Sequence, residues 1–262
     1  MPQTEHERAA DELVSLLARR IEVLECLLDE TMTRPELVDE LEISRSTVDR
    51  SVRELEGMGL LEFHDGTYRA SLPGRLAHTE YAELREELVT VEEAADLLAV
   101  LPPDAPLDLD VLRGAEVVVA TEPAPHVPGS RIPDLLENAD HVRSLSTALT
   151  TPSTGDIIAD GVLNHEMTIE VVFEQDLYRY LHDSGPMDLE VLAATDRFHQ
   201  WVVDTLPFGL LIIERDGDRQ VCLAIYDADQ TLEGIIINDS DAAITWAASV
   251  FRSYREAATP TD

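Results

Sequence analysis

Three arginines stand close together at Arg45, Arg50 and Arg53, with Ser44, Ser46 and Thr47 beside the first. Between residues 43 and 53 the chain holds three Arg and one Asp, a local charge of +2 inside a 262-residue sequence whose formal net charge is −34. Guanidinium forks bind guanine edges and phosphates, and short hydroxyl side chains reach bases or backbone oxygens. A recognition helix needs that mixture at its N-terminal end, where side chains enter the major groove while flanking cations rest on phosphates. The residues expected to touch DNA are therefore Arg45, Ser46 and Thr47 at the helix start and Arg50 one turn on from Ser46. Arg53, the capping residues Thr33 and Ser44, and Arg69 further along complete the set.

The elements that must hold these residues are legible around them. Residues 8–29 carry Leu13, Leu16, Leu17, Ile21, Leu24 and Leu28 at helical spacing. Thr33-Arg-Pro-Glu36 has the capping-box pattern and predicts a second helix to about Leu41. Ser44 caps a third helix, Arg45 to about Met58, ended by Gly59. On it Val48, Val52 and Leu55 fall on one face, leaving Arg45, Ser46, Asp49, Arg50 and Arg53 on the other. Leu60–His64 and Thr67–Ser71 flank Asp65-Gly66, a hairpin that can serve as a wing and lay Arg69 beside a groove. Together these predict a winged helix-turn-helix. An ordinary three-helix bundle with a solvated Arg/Glu face, or a winged helix used only for protein contacts, fits the same pattern.

Composition bounds the rest. All 19 basic residues are Arg against 53 Asp and Glu, and the acid is spread along the chain. Such a surface suits concentrated salt, where screening removes self-repulsion, so the negative total does not exclude DNA. Without Lys, Schiff-base and phosphate-loop chemistry are impossible. None of the eight His stands in metal-ligand spacing with another His or with Cys26 or Cys222, and both Cys read as small core residues. His165-Glu166 reads as a surface loop end, Trp201 and Trp246 as core anchors, and Asn238–Asp241 as a helix cap that could also line a pocket. No catalytic residue, metal or cofactor is assigned. No apolar run approaches the ~20 residues of a membrane span. The acidic, polar start lacks the marks of a signal peptide, so the expected location is cytoplasmic, with no membrane partner.

Beyond the hairpin, Pro73-Gly74 reads as a break. Residues 75–100 read as a helix interrupted near Thr90, either a dimer element or a helix whose apolar stripe packs on the C-terminal domain, followed by a Pro/Asp-rich linker. Ala115–Ala120 has the continuous apolar character of a buried strand, and Pro123, Pro125 and Pro128 mark a loop. Helix is expected over 131–139, Leu177–His182, Leu189–Ala194 and, capped by Ser240, Asp241–Ala257. Strand is expected over Val142–Leu149, Met167–Phe173, Trp201–Val203, Phe208–Glu214, Gln220–Asp227 and Leu232–Asn238, with a turn at Asp216-Gly217. The expected fold is a two-domain α+β or α/β chain. Residues 1–74 form the winged helix-turn-helix, 75–112 a helical connector, and 113–262 an α/β mixed-sheet sensor domain.

The run Thr33–Leu55 followed by Gly59-Leu-Leu-Glu62 resembles archaeal winged-helix regulators. Leu206-Pro-Phe-Gly-Leu-Leu-Ile212, Tyr226-Asp227, Gly234-Ile-Ile-Ile-Asn-Asp239 and Trp246–Arg255 resemble the C-terminal domain of the methanogenesis-regulatory type, common in haloarchaea. That half is also similar to the phospholipase-D-like effector domain of sugar-responsive, TrmB-like regulators, though the catalytic Lys of that ancestry cannot exist here. The resemblance implies a transcriptional regulator that binds double-stranded promoter DNA as a homodimer, with a C-terminal domain that receives a signal or small-molecule effector. Two other readings stay open: a protein-interaction adaptor with a degenerate winged helix, and a small-molecule hydrolase carrying the winged helix as an appendage.

Overall fold

The computed structural model describes residues 4–149, 151–185 and 187–260. The chain divides into two compact units, Met1–Glu86 and Glu87–Asp262.

In the first unit, α1 (Glu5–Glu25), α2 (Arg34–Leu41) and α3 (Arg45–Gly57) precede a two-stranded hairpin, β1 (Leu61–His64) and β2 (Thr67–Ala70). Reciprocal capping boxes start α1 at Thr4/Glu7 and α2 at Thr33/Glu36. Ser44 caps α3 by accepting from the Thr47 N–H. The turn between α2 and α3 is only residues 42–44, and Glu42 takes the left-handed conformation at φ 51° to make it. Leu37 of α2 and Val48, Val52 and Leu55 of α3 are fully buried against Leu24 and Leu27. Each such side chain stabilises the packing by ~1.5–3 kcal/mol. The hairpin pairs Leu61 with Ala70 and His64 with Thr67, and both turn residues have positive φ, Asp65 at 49° and Gly66 at 87°. That is the twist a two-residue hairpin favours. Met32 adds a bridge to Tyr68, fastening the hairpin to the segment before α2.

Pro73-Gly74 does not break the chain. Helix α4 runs from Leu72 to Glu93 with both residues in its first turn, where Pro lacks no needed donor. Ser71 Oγ accepts from the Gly74 N–H (3.1 Å) and donates to Gly59 O (2.6 Å), tying the helix start to the end of α3. The interruption expected near Thr90 falls at Ala94, before α5 (Ala95–Leu98).

The second unit is an eight-stranded mixed sheet covered on both faces. Its strands are β3 (Glu116–Val119), β4 (His141–Ser146), β5 (Thr168–Glu174), β6 (Phe198–Val203), β7 (Gly209–Arg215), β8 (Asp218–Tyr226), β9 (Leu232–Asn238) and β10 (Thr259–Pro260). They lie in the order β10-β6-β5-β4-β7-β8-β9-β3. β4, β5 and β6 are parallel; the remaining pairings are antiparallel. One face packs on α6 (Val127–Leu136), α7 (Pro152–Asn164), α8 (Gln175–Ser184) and α9 (Leu189–Ala193), the other on α10 (Asp241–Ala257), α5 and a 3-10 turn at Leu109–Val111. Strand β8 shows why its sequence is continuously apolar from Val221 to Ile225: Cys222 and Ala224 enter the first core, Val221, Leu223 and Ile225 the second. Complete burial pushes the Cys222 thiol up to about 12.

Several expectations change. β3 is an edge strand, half-buried, rather than an interior one. Pro128 belongs to the first turn of α6 instead of a loop. Helix α7 and strand β10 had no counterpart in the sequence reading. Asn238 is a buried tie, donating to Val111 O and Arg113 O at 3.0 and 2.8 Å, while Ser240 caps α10 as expected. Trp246 donates to Pro106 O, and exposed His165 sits 3.1 Å from Asp160. No helix among the described residues is long and apolar enough to cross a membrane.

A Cβ at Gly74 would lie 2.1 Å from the Leu60 carbonyl oxygen. Backbone cannot yield as a flexible side chain can, so Gly74→Ala should destabilise the first unit by about 1–3 kcal/mol, measured by denaturant unfolding.

Candidate nucleic-acid interface

Burial of Val48, Ser51, Val52 and Leu55 fixes which way α3 faces. Arg45, Ser46, Arg50 and Arg53 are exposed on its outer side, and Thr47 and Asp49 are half-buried. At the N-terminus the hydroxyls form one cluster: Ser44 Oγ lies 2.9 Å from Ser46 Oγ and 2.8 Å from Thr47 Oγ1. The first turn of the helix thus carries hydroxyl groups beside Arg45, at the end where amide groups favour anions. Thr33 sits at the start of α2, its hydroxyl committed to the Glu36 N–H. The Thr33 N–H in turn donates to Glu36, the main reason that carboxyl lies below the usual glutamate range.

The arginines divide into two groups. Arg45 and Arg53 are exposed and have no ion-pair partner among the described residues. Arg50 donates to Glu54 (2.9 Å), and Glu54 also takes Arg20 of α1 at 2.9 Å. Arg69 donates twice to Glu62 across the hairpin, at 3.0 and 2.8 Å. The wing therefore offers little net cation: Glu62 and Asp65 offset Arg69, with Phe63 and His64 exposed between them.

Two residues outside the sequence-derived set belong to this surface. Arg34 Nε lies 3.4 Å from Asp49 Oδ1, a charge contact without hydrogen-bond geometry, and its guanidinium stands 5.4 Å over the Tyr68 ring. It offsets the one acid within the positive stretch of α3. Arg20 does the same for Glu54. Neither was visible beforehand, because each meets α3 from another helix. Counted from Arg45 to Gly57, α3 carries three Arg and three acids, Asp49, Glu54 and Glu56. The +2 of residues 43–53 is thus a property of its N-terminal part, sustained by Arg34 and Arg20.

The class these features define is a winged helix-turn-helix unit followed by a three-layer mixed-sheet unit. Residues 125–257 match the family described as methanogenesis regulatory protein FilR1, middle domain, and the chain belongs to that family. Residues 8–93 match the HVO_A0261 N-terminal domain. No curated protein matches the chain. Among solved structures, the archaeal chromatin protein TrmBL2 is similar at 18% identity over 96% of this chain and 99% of its own, with a TM-score of 0.42. An IclR homolog from Microbacterium sp. strain HM58-2 is similar at 14% identity, over 92% and 96% of the two chains, TM-score 0.25. The methyltransferase SibL is similar at 13% identity over 75% of this chain and 63% of its own, TM-score 0.28.

Hydrogen bonds from Arg50, then Arg20, hold the Glu54 carboxyl below the usual glutamate range. A depressed folded-state value adds stability above the unfolded-state value, and that stability is lost as pH falls through the folded-state value. Glu54→Gln should therefore cost under about 1 kcal/mol near neutrality, since the pairs are solvent-screened. The gap to wild type should close at a pH below the folded-state value, as read from denaturant unfolding at both pH values.

Proposed function

We propose that the chain is a DNA-binding transcriptional regulator of the archaeal TrmB-like kind, whose α3 enters the major groove of promoter DNA and whose second unit receives a signal. The observation that carries this reading is the pair Arg45 and Arg53, exposed and without carboxylate partners among the described residues, in a chain with 53 acidic residues. Arg45 stands with the Ser44, Ser46 and Thr47 hydroxyls where base edges are reached; Arg53, two turns on, suits a phosphate. Arg50 and Arg69 act in this reading only by exchanging Glu54 and Glu62 for phosphate, so each contributes less.

Genome-wide occupancy mapping supplies a bound fragment, and fluorescence anisotropy on that fragment tests the residues. Arg45→Ala should weaken binding about 10-fold or more, as loss of a bidentate base contact does, and relax sequence preference. Arg53→Ala should weaken all sequences alike, and Arg69→Ala should have the smallest effect. Unchanged affinity in the Arg45→Ala/Arg53→Ala double variant overturns the assignment of the recognition helix. A second reading, a winged helix for protein contacts, draws on the exposed Phe63 and the acidic wing; it expects no occupied sites at all.

The reading includes a homodimer, since paired half-sites call for paired recognition helices. Helix α4 supports it: Leu72, Leu76, Leu84 and Leu88 are exposed at 68%, 60%, 38% and 57%, an apolar run a solitary helix does not keep in water. Sedimentation equilibrium should find a dimer in wild type and a monomer after Leu76→Glu/Leu84→Glu. A monomeric wild type removes this element.

A further inference from the structure

In the second unit, the sheet face beneath α6, α7 and α8 has a gap in its floor. Side chains alternate along β4: Val142 belongs to the core on this face and Leu145 to the core beneath α10, so Ser144 and Ser146 stand with Val142. In register beside Ser144 lie Val171 of β5 and Leu211 of β7, both in that same core. Further along this face Gly209 of β7 lies opposite Ala224 of β8. Ser144, Ser146, Gly209 and Ala224 thus place small residues on three adjacent strands. The helices above do not fill the space, and a cavity of about 70 Å³ remains between these four residues and Leu136, Ile158, Leu177 and Leu181.

Ser144 makes this more than a packing defect. The residue is 9% exposed, and its hydroxyl makes no hydrogen bond among the described residues. Its backbone is paired on both sides in the middle of the sheet, so the Oγ, one bond beyond Cβ, projects from the floor towards the helices and into the gap. A buried hydroxyl without a partner has lost its water and regained nothing, so a cavity floor carrying one is built to meet a polar atom. Thr154, also on the lining, is already engaged, 3.0 Å from Thr151. The rest of the wall decides the chemistry. Among the described residues no Asp, Glu, Arg or His lines the cavity. A charged molecule would be buried there without a counter-charge, and a sugar would leave most of its hydroxyls unpaired. One serine hydroxyl, able to donate or accept, above an apolar wall suits a molecule with a single polar atom. At roughly 10–15 Å³ per water-sized group, the cavity has room for about five to seven non-hydrogen atoms.

We propose that this cavity is the effector site and that it takes a small uncharged ketone or alcohol. The ligand's oxygen meets Ser144 Oγ, and its hydrocarbon lies against Ile158, Leu177 and Leu181. The effector role rests on the reading of the second unit as the part that receives a signal; the binding site itself does not.

The test is a nuclear magnetic resonance titration of the full chain, labelled at its methionine methyl groups, with butan-2-one. Its apolar isostere 2-methylbut-1-ene, the charged butyrate and the oversized nonan-5-one serve as comparisons. Butan-2-one should shift the methyl of Met187, which lines the cavity, saturably and as one site per chain, while Met32 and Met58 in the first unit stay unmoved. Butyrate and nonan-5-one should bind at least tenfold more weakly. Ser144→Ala removes the unpaired hydroxyl and little volume. It should weaken butan-2-one about three- to tenfold relative to the alkene, as loss of one hydrogen bond does, while thermal unfolding of the ligand-free protein stays at or above wild type. No saturable shift at Met187, equal binding of butyrate, or an unchanged ketone-to-alkene ratio in Ser144→Ala each overturns the site. DNA affinity with and without saturating butan-2-one separates the two readings. Binding in the cavity with no change at DNA keeps the site and removes the effector role; a DNA response to some other metabolite, without butan-2-one binding, removes the site and keeps the sensing reading.

Discussion

The orientation of α3 is the constraint on which the first unit depends. Val48, Val52 and Leu55 cannot leave the core without exposing three fully buried apolar side chains. Because they lie on one face, Arg45 and Arg53 have no route inward. The caps serve the same end: Ser44 fixes where α3 begins, and the three-residue turn led by Glu42 in a left-handed conformation fixes its angle to α2. Arg45 is then held at the first residue of a helix whose axis cannot rotate. Positioned side chains on a rigid element, rather than loop arginines, are what groove recognition requires.

Charge is arranged around that element in a specific way. Three acids on or beside α3 are engaged: Asp49 by Arg34, Glu54 by Arg20 and Arg50, Glu62 by Arg69. Each pair is exposed enough to contribute little stability. Their consequence is local potential. Pairing the acids leaves the N-terminal part of α3 positive, although the whole helix sums to zero. Arg suits this role better than Lys because one planar fork can serve two acceptors, and Arg131 shows the geometry on the second unit, with two nitrogens on the two oxygens of Glu116 at 2.8 and 3.0 Å.

What could be read from sequence was local. Thr33, Ser44 and Ser240 announced their helices because a cap acts within three residues, and Asp65-Gly66 and Asp216-Gly217 announced hairpins because the turn demands positive φ. Pro73-Gly74 misled for the same reason. As a dipeptide it signals a break, but Pro suits a first helical turn and Gly74 is dictated by the distant Leu60 carbonyl. Helix α7 escaped notice because Gly155 and Gly161 blur its apolar spacing, and Gly161 is needed where Met167 packs against it. Sheet order was hidden altogether: β4 pairs with β7 about seventy residues away, and no periodicity reports on such a partner.

The acidic surface and the proposed DNA contact are compatible on grounds of range. Uncompensated acids near α3, such as Glu42 and Glu56, repel phosphates through solvent over several ångströms. Near 1 M salt the Debye length is ~3 Å, so that repulsion fades while hydrogen bonds made at contact persist. The same screening removes the long-range attraction that supports sequence-independent binding. A helix that relies on Arg45 and neighbouring hydroxyls at contact distance thus loses less in concentrated salt than a broad cationic face would. The chain's negative total then acts mainly against loosely bound, non-specific complexes, leaving discrimination to the few groups that reach base edges.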